Sequence, residues 1–509
     1  MLSMQWYCFV RLLQTSATGR ASSQLARYPF CREREEMEQK SHLILLPLPF
    51  MGHMNPMMRL AEFLATGGHL VTFVSSIANH RDVSPTAQEA LLRRGIRLMS
   101  IPDGLPEDAD RTTQVVELCE SLLSTMPGPF KELLATLTPP PSCVIADTFL
   151  PFTVSASISL GIPHVSFWTQ SMASLASLFL VANNLYKGPT QELAVPGAAF
   201  LTETDMNTFI RCYEPSNFMY RFILGGLDRL HLSEWVVVNT FIDLERETIE
   251  ILRKQHGLHN LLAVGPLLPL PHEASARNIK ADDPSIFRAE DRDCISWLNK
   301  REPKSVLYVS FGSLALLSET QMEDVALGLE ACGYPFLWVV RSDIIHGRPP
   351  KFMDDYLQRV KDRVFIVAWG PQLQVLRHPA IGGFFTHGGW NSTIEAISAG
   401  VPMLGWPYFA DQPMDCACIE GWGLGLRLGG AMSSDKIVGR DTIETKVRLL
   451  MSSKMFQESS HDMKIFANRA VSENGYSKDL QTLMKSLQVA YLKRKTKDTG
   501  YIESLQPQT

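Results

Sequence analysis

Residues 369–412 read WGPQLQVLRHPAIGGFFTHGGWNSTIEAISAGVPMLGWPYFADQ, and this run decides the fold and the chemistry together. An apolar strand, residues 382–386, feeds His387, two glycines, Trp390, Asn391 and Ser392, and the pattern then predicts a helix through Ala399. A strand that ends in a glycine-lined turn at a helix start presents free backbone N–H groups and the positive end of the helix dipole. His387, Asn391 and Ser392 add side-chain donors at the same place, which suits a diphosphate. On the flanks, Trp369 offers a stacking face for a base, Glu395 an acid for ribose hydroxyls, and Asp411-Gln412 a pair for sugar hydroxyls.

Outward from this run the chain reads as two α/β halves. In the first, a strand at 43–46 leads through a loop at 47–53 to a helix. Asn55 is the expected N-cap, Pro56 falls in the first turn, and Gly67-Gly68 ends the helix before a strand at 70–74. That β-α-β unit predicts a parallel sheet. Further strands are expected at 143–146, ending at Asp147, and at 163–169 and 235–239. The second half repeats the pattern with strands at 305–311, 336–340 and 364–367. A capping box, Ser318-x-x-Gln321, opens a helix whose apolar face holds Met322, Val325, Ala326 and Leu329. Open parallel sheets bind ligands at the carboxyl ends of their strands. The expected division is an N-terminal extension (1–40), a first Rossmann-like domain (41–265), a linker (266–293), a second Rossmann-like domain (294–476), a last helix (477–492) and a tail (493–509).

Composition narrows the function. The 509 residues are 45% hydrophobic and 20% charged, as in globular proteins, and exceed one typical core. A net charge of −5 and the lack of a Lys/Arg stripe argue against a nucleic-acid partner, and the basic run 493–497 reads as a solvated tail. Nine cysteines are scattered singly apart from Cys416 and Cys418, so neither a zinc site nor a disulfide framework is expected. Residues 148–186 contain no Asp, Glu, Lys or Arg, but Pro151, Gly161 and Pro163 cut them, and a buried helix-strand-helix is expected in place of an integral membrane segment. The first 32 residues carry four arginines and no acid, which reads as a transit-type leader or as an upstream start preceding Met37. A cytoplasmic monomer is the expectation, with organelle targeting left open by that extension.

The run 369–412 resembles, without a gap, the signature box of plant family-1 UDP-sugar glycosyltransferases. The aromatic, the His, the Gly-Trp-Asn-Ser, the Glu and the Asp-Gln all fall at the family's offsets. The resemblance covers about residues 41 to 490, with softer matches at Asn239-Thr-Phe, Val264-Gly-Pro and 305–313, and it thins between about 186 and 232. It implies a GT-B fold, two Rossmann-like domains with parallel sheets facing a central cleft, and a last helix that crosses back onto the first domain. It also implies that UDP-sugar, most simply UDP-glucose as Gln412 suggests, is held by Trp369, Gly370, Gln372, His387, Trp390, Asn391, Ser392, Glu395, Asp411 and Gln412. Ser313 resembles the family's Gly-Ser phosphate contact, and Thr169 a residue of the first domain that touches the donor sugar. No cofactor or metal is implied beyond this co-substrate.

His53, in Pro-x-Pro-x-x-Gly-His, resembles the family's catalytic base, and Asp147 its partner. A histidine titrating near pH 6.5 suits a base at neutral pH, and a carboxylate on its far nitrogen would orient it and stabilise its protonated form. Met51, Gly370 and Asp415 depart from the common glutamine, alanine and asparagine. The expected reaction is inverting, metal-independent sugar transfer to a hydroxyl or carboxyl of a small lipophilic metabolite. The competing readings are a nucleotide-sugar-binding protein without transferase activity, an epimerase, and a metal-dependent transferase using Asp291-x-Asp293 or Asp108-x-Asp110.

Overall fold

Two parallel sheets, each built around one reversal of strand order, position everything that follows. A computed structural model of the protein describes residues 41–186, 194–211, 214–268, 290–341, 352–430, 437–471 and 477–503. The expected N-terminal extension, most of the expected linker and residues 504–509 lie outside the described residues.

The first sheet comprises β1 (His42–Leu46), β2 (Leu70–Ser76), β3 (Ile96–Ile101), β4 (Cys143–Asp147), β5 (His164–Trp168), β6 (Trp235–Val238) and β7 (Leu261–Ala263), in the order β3-β2-β1-β4-β5-β6-β7. The second comprises β8 (Val306–Ser310), β9 (Phe336–Val339), β10 (Val364–Val367), β11 (Ile381–Thr386), β12 (Met403–Gly405) and β13 (Gly425–Arg427), in the order β10-β9-β8-β11-β12-β13. All pairs are parallel. Strands such as Leu43–Leu46 and Val306–Val309 are wholly buried because helices cover both faces, so they read as continuous apolar runs without alternation. The reversals fall between β1 and β4 and between β8 and β11, which is where an open parallel sheet leaves a crevice at its strand ends.

Several local expectations needed correction. The helix after β1 starts at Met51, because the Phe50 carbonyl already accepts from the His53 and Met54 N–H groups; Asn55 is therefore inside it and is not its N-cap. Only half of the capping box forms. Ser318 accepts from the Gln321 N–H at 3.2 Å, whereas the Gln321 amide turns to the Val438 backbone. Strands β3, β7, β12 and β13 were not expected; the last three span three residues each, too few to establish a period. Residues 148–186 hold two short helices, Phe152–Ser159 and Met172–Ala182, and no helix among the described residues is long and apolar enough to cross a membrane.

The helix Lys478–Glu503 buries Leu480, Leu483 and Leu487 in the core around β1 and β2, each such side chain contributing about 1.5–3 kcal/mol. Polar contacts fix its start: Asp479 Oδ2 accepts from the Arg253 guanidinium at 2.7 Å and from the Ala263 N–H at 2.8 Å.

Candidate active site

At the first reversal, β1 delivers His53 in the opening turn of its helix, and β4 ends at Asp147. His53 Nδ1–H donates to Asp147 Oδ2 at 2.7 Å, while Asp147 Oδ1 accepts from the Phe149 N–H at 3.1 Å. The carboxylate is buried and held by its own turn, so it fixes the imidazole, with Phe149 packed edge-on against the ring at 5.9 Å. Burial alone would lower the His53 pKa, but the Asp147 charge and hydrogen bond, with the more distant Asp411 charge, raise it above 6.5. Thr169 Oγ1 lies 2.9 Å from the same Nδ1, so the hydroxyl expected at the donor sugar is shared with the histidine. Nε2 is left for the cleft that His53 lines.

At the second reversal, β8 leads into Gly312-Ser313 and β11 into His387. The helix Trp390–Ala399 has Gly389 as its N-cap with no side chain closing it, so its first N–H groups remain open toward the cleft. Gly312, at φ +74°, and Gly389 flank the His387 ring; a Cβ on either would come within 2.7 Å of it. Burial and the Arg341 charge, opposed by a bond to the Ser310 backbone, hold His387 down at about 4. It is therefore a neutral donor at pH 7. Arg341 itself, buried just after β9, donates to the Gly312 carbonyl and to that of Ala315 at 3.0 Å, fixing the loop that carries Ser313.

The remaining box residues divide between cleft and scaffold. The Gln372 amide donates to Ser392 Oγ at 2.9 Å and Glu395 Oε2 at 2.8 Å, tying the predicted ribose acid to the helix start beside Trp369 and Gly370. Gln412 Oε1 accepts from the Tyr408 and Phe409 N–H groups at 2.8 and 3.2 Å, which leaves its NH₂ as a donor toward the cleft. Two side chains expected on the donor line the cleft and also bond the first domain. Trp390 Nε1–H bonds the Asn239 carbonyl at 2.8 Å, and Asn391 Nδ2 bonds the Gly52 carbonyl at 2.7 Å. The Asp-x-Asp candidates are local caps: Asp291 accepts from the Asp293 N–H, and Asp110 from Thr112 and Thr113.

Comparison with known proteins agrees with this geometry. A family described as UDP-glucoronosyl and UDP-glucosyl transferase matches residues 285–471. UDP-glycosyltransferase 85A2 of Arabidopsis thaliana is 36% identical over 86% of this chain and 96% of its own length. A 7-deoxyloganetin glucosyltransferase of Catharanthus roseus is 35% identical over 83% of this chain and 90% of its own. The chain belongs to the plant family-1 UDP-glycosyltransferases. The crystal structure of Os79 from O. sativa in complex with UDP superposes with a TM-score of 0.77 at 26% identity, covering 88% of this chain and all (100%) of that one. That of Phytolacca americana UGT2 with UDP-2fluoro-glucose and pterostilbene gives 0.71 at 27% identity, with 89% and 98% covered.

In this UDP-glycosyltransferase the cleft between the domains has a volume of about 370 Å³, within the size range of small-molecule sites. Its polar residues belong largely to the box; around His53 it is lined by Phe50, Phe149 and Phe222, and Val115, Met219 and Phe209 line it too, Phe209 against Phe409. None of these, nor Arg341, stood out in the sequence. They come from separate elements, and an isolated apolar residue or arginine leaves no spacing to read.

Proposed function

We propose that the enzyme transfers glucose from UDP-glucose to a hydroxyl of a small lipophilic acceptor, by a single inverting displacement without a metal ion. The observation that carries this is the His53–Asp147 pair, which leaves Nε2 for the cleft that Phe50, Phe149, Phe222 and the phosphate-binding helix start all line. In that reading, the acceptor hydroxyl gives its proton to His53 Nε2 as its oxygen bonds the anomeric carbon. The bond from that carbon to the diphosphate oxygen breaks, and UDP leaves with the electron pair. Asp147 stabilises the resulting imidazolium; open N–H groups at Trp390–Ser392, with Ser313 and neutral His387, stabilise the charge growing on UDP.

Trp369 would stack on the base, Glu395 would take ribose hydroxyls, and Asp411 with the Gln412 amide would take sugar hydroxyls. A hydroxyl acceptor is favoured over a carboxylate because the arginines that line the cleft among the described residues, Arg59 and Arg292, are already paired with Glu62 and Glu290. The relatives' printed acceptors, 7-deoxyloganetin and (R)-mandelonitrile, belong to those proteins and fit a neutral hydroxylated class here.

The test is UDP release from UDP-glucose with a pooled panel of phenolics, terpenoid alcohols and hormone acids, in the presence of EDTA, with His53→Ala as control. Acceptor-dependent release that the substitution abolishes supports the reading. UDP-glucose binding without release for any acceptor would favour a binding protein, and release that EDTA stops would overturn the metal-free mechanism.

A further inference from the structure

Two acids lie one turn apart where the sugar-binding end of the box enters the helix Gln412–Gly421: the Asp415 N–H bonds the Asp411 carbonyl at 3.1 Å. Asp411 lines the cleft, whereas Asp415 is fully buried (0% exposed) against the first domain. There Ser171, the N-cap of the helix Met172–Ala182, donates its hydroxyl to Asp415 Oδ1 at 2.8 Å. The second oxygen, Oδ2, is buried and receives no donor from any described residue, while the carboxyl group as a whole meets that of Asp411.

The surrounding charges offer no neutralisation. Glu245, on the helix Ile242–Gln255, also acts on Asp415; burial raises its carboxyl, against which it accepts from Thr240 Oγ1 at 2.6 Å and the N–H groups of Met172 and Ala173 at 3.0 and 2.9 Å. Asp205 and Arg427, packed on the same helix from its other side, are bonded to each other, and Arg427 also binds Glu420. The thiols of Cys416 and Cys418 are pushed well up by burial and stay neutral. His53 acts on Asp411 from across the cleft. Two neighbouring carboxyl groups in a buried site do not readily ionise together; burial raises the Asp411 carboxyl too, but Asp411 is the one that lines the cleft and is pulled down by His53.

We infer that Asp415 is carried as a neutral acid whose O–H donates to the Asp411 carboxylate, so that a buried proton sets the orientation in which Asp411 meets the donor sugar. Burial and the Asp411 charge push the Asp415 carboxyl well above the usual carboxylate range, which agrees. Asp415 is thus a positioning residue. The positioning half rests on the reading of Asp411 as a sugar contact; the proton itself does not. Because the folded state holds a proton that the unfolded chain releases above about pH 4, the associated stability is complete below that pH, falls steadily as pH rises above it, and is gone once pH has passed the folded value.

Thermal unfolding of the ligand-free enzyme from about pH 6 to pH 9.5 tests the proton. The parent should lose stability toward alkaline pH more steeply than Asp415→Asn, whose amide donates to Asp411 with nothing to release. Equal slopes would overturn the neutral acid. Calorimetric binding of UDP-glucose and of UDP tests the positioning. Asp415→Ala, or Asp415→Leu if alanine does not fold, should weaken UDP-glucose by about tenfold, the scale of one hydrogen bond to a charge, and UDP by much less. Asp415→Asn should restore most of the difference. An unchanged ratio of the two affinities in both apolar variants would overturn the positioning role. A parent that binds UDP but discriminates nothing by the glucose would overturn the donor reading and the positioning half together, while the pH slopes would still decide the proton.

Discussion

At the reversal of the first sheet His53 stands against a buried carboxylate; at the reversal of the second, His387 stands between two glycines beside a loop held by Arg341. Both histidines follow the carboxyl end of a parallel strand, both line the same cleft, and both lose solvation there. Their proton affinities nevertheless move apart, His53 above 6.5 and His387 down to about 4. The difference lies in the neighbour's sign. An anion at 2.7 Å more than repays desolvation, whereas a guanidinium adds to it. In the proposed mechanism the first is thereby fitted to gain a proton during the reaction, and the second to donate an N–H to phosphate without taking up charge. Residue type and backbone position are shared; the assignment of roles comes from what is packed behind each ring.

The sharpest way to break this contrast is to remove the first histidine. His53→Ala should lower kcat/KM by about 10²–10⁴, the range of general-base catalysis, while calorimetric UDP-glucose affinity stays near that of the parent. Comparable losses from His387→Ala in turnover but not in UDP binding would show that the two roles are not divided as described. Next comes the anion. Asp147→Asn removes the charge that raises the His53 pKa, so the acid limb of the kcat/KM profile should move to lower pH. At neutral pH the rate should drop by up to about 10⁴-fold, the scale of loss when the carboxylate behind a general-base histidine becomes an amide. A limb that stays in place would assign it to another group.

How far these roles could be read from the sequence follows the same division. The proposed phosphate site was legible because strand, turn and helix start are contiguous, so spacing alone puts Gly388, Gly389, Asn391 and Ser392 at one place. Asp147 lies 94 residues from His53, and only the family likeness paired them before the ring and carboxylate were seen in contact. Arg341 gave no signal, since its value depends on carbonyls 26 and 29 positions away. The bonds of Trp390 and Asn391 to the Asn239 and Gly52 carbonyls were likewise invisible, their partners lying 151 and 339 positions away. The apolar wall around His53 gathers Phe50, Phe149 and Phe222 from three elements, a grouping that tertiary packing creates and no local period announces.

A smaller effect should come from crowding the second histidine. Gly312→Ala would place a methyl group 2.7 Å from His387 at a residue with φ +74°, where an L side chain costs about 1–2 kcal/mol. The ring or the loop must shift, and UDP affinity should fall by roughly tenfold, equivalent to about 1.4 kcal/mol. Turnover at saturating UDP-glucose should change far less, because His53 and Asp147 are untouched. Equal losses in both would indicate that the two reversals are mechanically coupled.

Such a coupling has a physical route, and the mildest substitution probes it. Pro56 is the residue whose N–H would have closed the helical bond to the Gly52 carbonyl; a proline has none. The carbonyl next to His53 is therefore free to accept from Asn391 at the start of the helix proposed to bind phosphate. Pro56→Ala returns an N–H to that position. The helix should gain about 1 kcal/mol, an interior proline being costly and the greater freedom of the unfolded chain taking back part of the gain. The restored donor competes with Asn391 for one carbonyl, so the KM for UDP-glucose should rise a few-fold, the loss of part of a neutral hydrogen bond worth about 1 kcal/mol. The prediction is thus of opposite signs: higher melting temperature and weaker donor use in the same variant. If stability rises and KM does not, the Gly52 carbonyl serves both donors with its two lone pairs. The two reversals would then stay joined by Asn391 and the Gly52 carbonyl as well as by Trp390 and the Asn239 carbonyl.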